Sequence, residues 1–192
     1  MPLAIYEQVV VNRVSLERNE SHSALSDLII DDSTCHFEKR EFSPDISIVL
    51  PIGMCSLAAD MLVFKYPNAN RPEIILSSTD ASVSFSFECM SATTRDIDLR
   101  LAEYKAVIKR MHPGYVFFTE EIFNLESGVK GACYDFRGIA LDGDIYCLNF
   151  FIDLPNAELL GWFSCSIDQQ ERWESLFMQM VKTITPLKHD KE

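Results

Sequence analysis

The dipeptide Asp142-Gly143, set between the alternating runs Lys130 to Leu141 and Asp144 to Asp153, constrains this chain more than any other feature. A two-residue type I′ turn needs positive φ at both centres, and Asp-Gly supplies it, so the two runs are predicted to pair as an antiparallel hairpin. The turn sets a register by arithmetic: Leu141 opposite Asp144, Gly138 opposite Cys147, Phe136 opposite Asn149. A third run, Leu159 to Ile167, follows a longer turn at Leu154 to Glu158 and extends the meander.

The same logic reads the rest of the chain. Cys35 to Phe42 alternates, Ser43-Pro44-Asp45 turns, and Ile46 to Leu50 forms a second strand stopped by Pro51. Ser56 can cap a short helix running to about Lys65, which ends before Pro67. Glu73 to Ser77 and Ala81 to Glu88 read as a hairpin around Ser78-Thr79-Asp80, with Val83, Phe85 and Phe87 on one face. Asp96 to Met111 reads as a helix, with Leu101, Tyr104, Ile108 and Met111 inward and Arg100, Glu103 and Lys109 outward. Asp96 and Asp98 suit its positive N-terminus, and Pro113-Gly114 closes it. Tyr115 to Phe118 is a further strand, and its continuation through Glu120 to Leu125 stays open. The last helix starts at Asp168, an N-cap with Glu171 three residues on. Its apolar stripe of Trp173, Leu176, Phe177, Met180, Val181 and Ile184 should dock on the sheet.

Short turns between strands imply antiparallel pairing, so the expected class is α+β, an antiparallel sheet flanked by helices, and not a βαβ array. Residues 1 to 32 read as an arm or appended element, in which Gln8 to Val14 could be a strand or a short helix. Residues 33 to 187 form a single domain, and 188 to 192 a charged tail.

Charge narrows the partners. Seventeen basic and 29 acidic residues give a formal net charge of −12. Nucleic-acid binding rests on Lys and Arg neutralising phosphates, and no basic stripe offsets this surplus. The same field opposes anionic membranes and favours a basic protein partner, and a partner with an exposed apolar segment is the other expectation. No run approaches the 18 apolar residues of a membrane helix. The N-terminus lacks the basic start of a signal peptide, and Glu7 interrupts its apolar run, so a cytoplasmic chain is expected. The six cysteines form no CxxC pair and read as small buried hydrophobes kept reduced. Their even number leaves a disulfide framework open.

Motifs for catalysis are missing. The seven glycines never form GxGxxG or GxxxxGK[ST], and GxSxG and HExxH are absent. Cys35 beside His36 would point to opposite strand faces, a poor metal pair. Cys133 with His112 could make an activated thiol only if the fold joins them. Asp142 and Asp144 fall short of the oxygen count of a calcium site and are covered by the hairpin. The loop from Lys65 to Pro72 combines Lys65, Tyr66, Asn70 and Arg71, and Arg71 could grip a carboxylate in a bidentate bond. The candidate binding residues are therefore Lys65, Tyr66, Asn70 and Arg71, with Asp142, Asp144 and Tyr146 at the hairpin. No catalytic residue, metal or cofactor is expected.

Lys65-Tyr66-Pro67, Asn70-Arg71-Pro72 and the stretch Glu73 to Phe87 with Asp80 in its turn resemble a bacterial branch of the PsbP and Mog-type superfamily, which includes the DcrB-type domain of unknown function. So does Ala140 to Tyr146 with the following Phe150-Phe151. The resemblance spans roughly residues 35 to 185. It implies an α/β/α sandwich and roles without catalysis: in photosynthetic oxygen evolution, in binding the Ran GTPase, or as chaperones of secreted effectors. It carries over no functional residue, and the absence of a leader departs from lumenal and lipoprotein members. The expectation is a non-catalytic protein-binding module, adaptor or small chaperone. A small-ligand binder using the 65–72 loop is the alternative, and an enzyme with an unrecognised site ranks below both.

Overall fold

Alternation sorts the long strands of this chain into two apolar faces, and each face collects its own helix. The computed structural model describes residues 28–30, 33–42, 46–66, 71–140 and 143–187. The strands are β1 (Leu28–Ile30), β2 (Ser33–Cys35), β3 (Phe37–Phe42), β4 (Ile46–Pro51), β5 (Cys55–Ser56), β6 (Ile74–Ser77), β7 (Val83–Ser91), β8 (Val116–Asn124), β9 (Lys130–Ala140), β10 (Gly143–Asp153), β11 (Ala157–Ser166) and β12 (Thr185–Pro186). The helices are α1 (Ala59–Lys65), α2 (Ile97–Met111) and α3 (Gln170–Lys182).

The main sheet has the order β5-β6-β7-β11-β10-β9-β8, and each neighbouring pair is antiparallel. A smaller sheet runs β12-β4-β3, and β1 pairs with β2. One face of the main sheet presents Phe85, Phe87, Leu148, Phe150 and Phe163 to the buried stripe of α3 and to Ile46, Ile48 and Leu50 of β4. The other presents Ala132, Tyr134, Phe136 and Phe151 to Ile97 and Leu101 of α2. The layering is therefore α2, sheet, α3 with the small sheet: an α+β sandwich, as the alternation predicts.

Several local expectations are corrected. The β9–β10 register differs by two residues from the one predicted: Gly138 faces Ile145 and Phe136 faces Cys147. Ala140 pairs with Gly143, whose φ of 139° opens the new strand, and residues 141–142 lie outside the described residues. An even shift keeps every side chain on its face, and the core is unchanged. Ser56 does not cap α1, because its backbone pairs with Leu76 in the ladder. Asp168 does not cap α3. Ile167–Gln169 form a 3-10 turn, and α3 begins after Gln169 with no side-chain cap. Asp96 does cap α2, accepting from the Asp98 N–H at 3.3 Å. Arg100, expected in solvent, is buried, and Met111, expected inside, is exposed. Leu28–Ile30 forms a strand that pairs with Ser33–Cys35. Expectations for residues 8–14, 43–45 and 188–192 lie outside the described residues.

β8 continues past Phe118 by means of a bulge. Its pairing with β9 breaks between Phe117 and Glu120. Phe118 stacks on Tyr146 on the α3 side, and Thr119 turns the same way. The Thr119 N–H would be left without a ladder partner, but the buried Asp135 carboxylate accepts it at 2.6 Å and the Thr119 hydroxyl at 2.8 Å. The other Asp135 oxygen accepts from the Tyr146 hydroxyl at 2.9 Å. Asp135→Ala strands these donors. It is expected to lower stability by about 2 kcal/mol in urea titration, and a loss below about 0.5 kcal/mol would show that the bulge does not depend on this carboxylate.

Candidate functional site

β8 ends the main sheet, and among the described residues no strand lies beyond it. α2 packs on β9 through Ile97 and Leu101, one strand in from that edge. Its flank therefore overhangs β8 without sealing it. The overhanging stripe is Asp98, Leu101, Ala102, Lys105, Ala106 and Lys109, positions spaced to lie on one side of a helix. Opposite stand Phe117 of β8 and, returned to the α2 side by the bulge, Glu120 and Ile122. Together they enclose an open groove of about 600 Å³.

The groove has an apolar floor and a charged rim. Phe117 packs against Tyr134 and Phe136 below. The Lys105 ammonium sits 5.5 Å from the Phe117 ring centroid and pairs with Glu120 across the middle. Ala102 and Ala106 contribute only methyl groups, so a bound chain could approach the helix backbone closely. Along the edge, Val116, Phe118 and Ile122 are exposed. On the far side of the sheet Glu121 pairs with Lys182 at 3.7 Å.

A buried ion cluster holds α2 in this position. Arg100 Nη1 donates to Glu158 at 2.5 Å and Nη2 to Asp153 at 2.7 Å, with the guanidinium 5.0 Å from the Phe151 centroid. Burial opposes the arginine's charge, but the Asp153 and Glu158 carboxylates outweigh it and hold its pKa above the ordinary value. The Tyr104 hydroxyl donates to Glu158 at 2.9 Å, and its pKa is pushed up to about 12, first by burial and then by that bond.

The residues singled out in the sequence do not converge. Lys65 ends α1 and donates to the Ala81 carbonyl in the β6–β7 turn. Tyr66 is half-buried and its N–H closes α1 on Leu62. Arg71 is exposed, while Asn70 and Asp142 lie outside the described residues. Asp144 accepts from Arg137 Nε at 2.6 Å. Tyr146 lies in the core with its hydroxyl held by Asp135, away from any ligand. β7 and β11 stand between β6 and β10, so three strand steps, about 14 Å measured across the sheet alone, separate those two strands.

Nor does the fold join Cys133 to His112. Cys133 lies on the α3 face against Met178, and His112 stacks on Tyr115 on the α2 face. Burial pushes the Cys133 thiol up to about 12, with Glu121 and Asp135 adding to it. It is not a thiolate at neutral pH. Among the described residues no three His, Cys, Asp or Glu side chains gather as metal ligands, and no helix is long and apolar enough to cross a membrane.

The groove itself escaped the sequence reading. Its helical half was visible as Ala102 and Ala106 alternating with Lys105 and Lys109. Its other half depends on β8 being an edge strand, which no local pattern reports.

No family model matches the chain, and no curated protein matches it. Solved structures do. Cyanobacterial PsbP (CyanoP) from Synechocystis sp. PCC 6803 aligns with a TM-score of 0.59 at 9% identity, over 87% of this chain and 98% of that one. The Ran-binding protein Mog1p of Saccharomyces cerevisiae gives 0.52 at 11% identity, over 80% and 97%. The protein PA94 from Pseudomonas aeruginosa gives 0.50 at 14% identity, over 80% and 99%. The fold is of the PsbP and Mog type. At these identities the likeness speaks to architecture alone.

Proposed function

We propose that this chain is a non-catalytic protein-binding module, an adaptor or small chaperone, that takes its partner in the groove between α2 and β8. One observation carries the reading: a sheet edge that no strand covers among the described residues, with Val116, Phe118 and Ile122 exposed, borders a groove with an apolar floor. Natural proteins cover, shorten or charge such edges unless they are used. The acidic surplus favours a partner with basic groups. That Mog1p, which shares the fold, is by its name a Ran-binding protein supports contact as the purpose of the fold. The site proposed for the work is cytoplasmic.

A photo-crosslinking amino acid in place of Ala106 should capture a protein from extract of the native cell. Ile122→Asp in the same chain should reduce capture at least tenfold. Capture equally strong from exposed Glu171 on α3, or none at Ala106, would remove the groove from the reading.

A further inference from the structure

The groove is polarised along its length. Asp98 lies in the first turn of α2 and Lys109 in the last, and both line the groove. Eleven helical steps set them about 16 Å apart along the axis. The helix dipole accounts for the two signs, yet neither side chain has an ion pair or hydrogen bond among the described residues. The other charges of the rim are already matched, Lys105 with Glu120 and Glu121 with Lys182.

Direction follows from the connection. Only residues 112–115 join α2 to β8, so helix and strand run antiparallel. Asp98 therefore overhangs the C-terminal part of β8 and Lys109 its start. After the bulge, Glu120 to Asn124 pair with β9 in unbroken register, and among the described residues no strand lies on the opposite side of that stretch, which is a strand template. Side chains on one face of a strand recur every second residue, and positions i and i+4 stand about 13 Å apart. Side-chain length covers the few ångströms left to reach both charges.

Resting on the reading of the groove as a protein-binding site, we infer that its occupant is an extended segment of the partner, added antiparallel to the Glu120–Asn124 edge of β8. Its basic side chain meets Asp98, an apolar one covers the floor at Phe117 and Ile122, and an acidic one meets Lys109. Read from its N-terminus, the segment is basic, any, apolar, any, acidic. Backbone bonds to the edge supply affinity and the alternate side chains supply selection.

The test uses the full chain and two labelled peptides followed by fluorescence polarisation, Lys-Thr-Val-Thr-Glu and its reverse, Glu-Thr-Val-Thr-Lys, both capped at their ends. The wild-type chain should prefer the first by about fivefold, the product of two exposed ion pairs. The double variant Asp98→Lys with Lys109→Glu should prefer the reverse. The neutral variant Asp98→Asn with Lys109→Gln, which removes both side-chain charges, should lose the fivefold preference for the first peptide. Methylating alternate peptide nitrogens on the side facing β8 should abolish binding. Equal binding of both peptides, no inversion in the charge-swapped chain, or no binding at millimolar peptide would overturn the inference. If the crosslinker at Ala106 still captures a partner in those cases, the groove stands as a protein site and only its strand-and-charge code falls.

Discussion

Arg100→Ala is expected to lower the unfolding free energy by about 3 to 5 kcal/mol, the cost of removing one partner from a buried charge pair. Arg100 is 1% exposed and Glu158 4%. With the guanidinium gone, the Glu158 carboxylate keeps only the Tyr104 hydroxyl and stays in a site that excludes water. The guanidinium's contact with the Phe151 ring is lost with it. Asp153 is different: its side chain is 35% exposed and can be solvated, so Asp153→Asn should cost under about 1 kcal/mol. The double variant Arg100→Met with Glu158→Leu should be more stable than Arg100→Ala, because it removes both charges and fills the space. Urea titrations of the four chains check this. A loss below about 1 kcal/mol for Arg100→Ala would mean that Glu158 finds water or shifts, and that the cluster does not clamp α2. The clamp matters to the groove as well, since Arg100 fixes the helix whose adjacent flank forms one wall.

The layers of this fold were legible where the chemistry is local. Phe85 and Phe87 alternate with serines, and the stripe of α3 has helical spacing throughout, so burial follows from the order of residues alone. The errors came where two local solutions compete. Asp-Gly can occupy the centre of the β9–β10 turn, but Gly143 also tolerates the positive φ with which β10 opens, and the ladder closes two residues tighter. Ser56 is a good cap, yet its strand pairing with Leu76 uses the same backbone. Arg100 reads as a surface residue by charge. Its burial depends on Asp153 and Glu158, more than fifty residues away and brought beside α2 by the sheet. The candidate loop around Arg71 was legible as polar and exposed, but the groove was not, because the edge position of β8 belongs to the strand order and not to any segment.

A different kind of close contact sets the centre of the core. Gly161 of β11 faces Phe150 of β10, and the far end of the Phe150 ring lies over the glycine. A Cβ at position 161 would stand 2.0 Å from Phe150 Cζ and 2.3 Å from Cε1. A ring tip at the surface could swing aside. Phe150 cannot, since it is 2% exposed and packed edge-on against Phe87 and Phe163. Those two rings are themselves buried against Phe42, Phe85 and Phe177. Interiors this dense pass strain from ring to ring instead of absorbing it. Gly161→Ala is therefore expected to cost about 3 kcal/mol, although alanine adds a single methyl group and suits strands better than glycine. Phe150→Leu should cost about 1 to 1.5 kcal/mol alone and relieve the clash, so the double variant should be more stable than the sum of the two losses predicts by at least 1 kcal/mol. Denaturant midpoints for the two single variants and the double measure that coupling directly. Additive losses, or a Gly161→Ala chain as stable as wild type, would show that the ring has room to move and that the aromatic cluster is less tightly interlocked than its geometry requires.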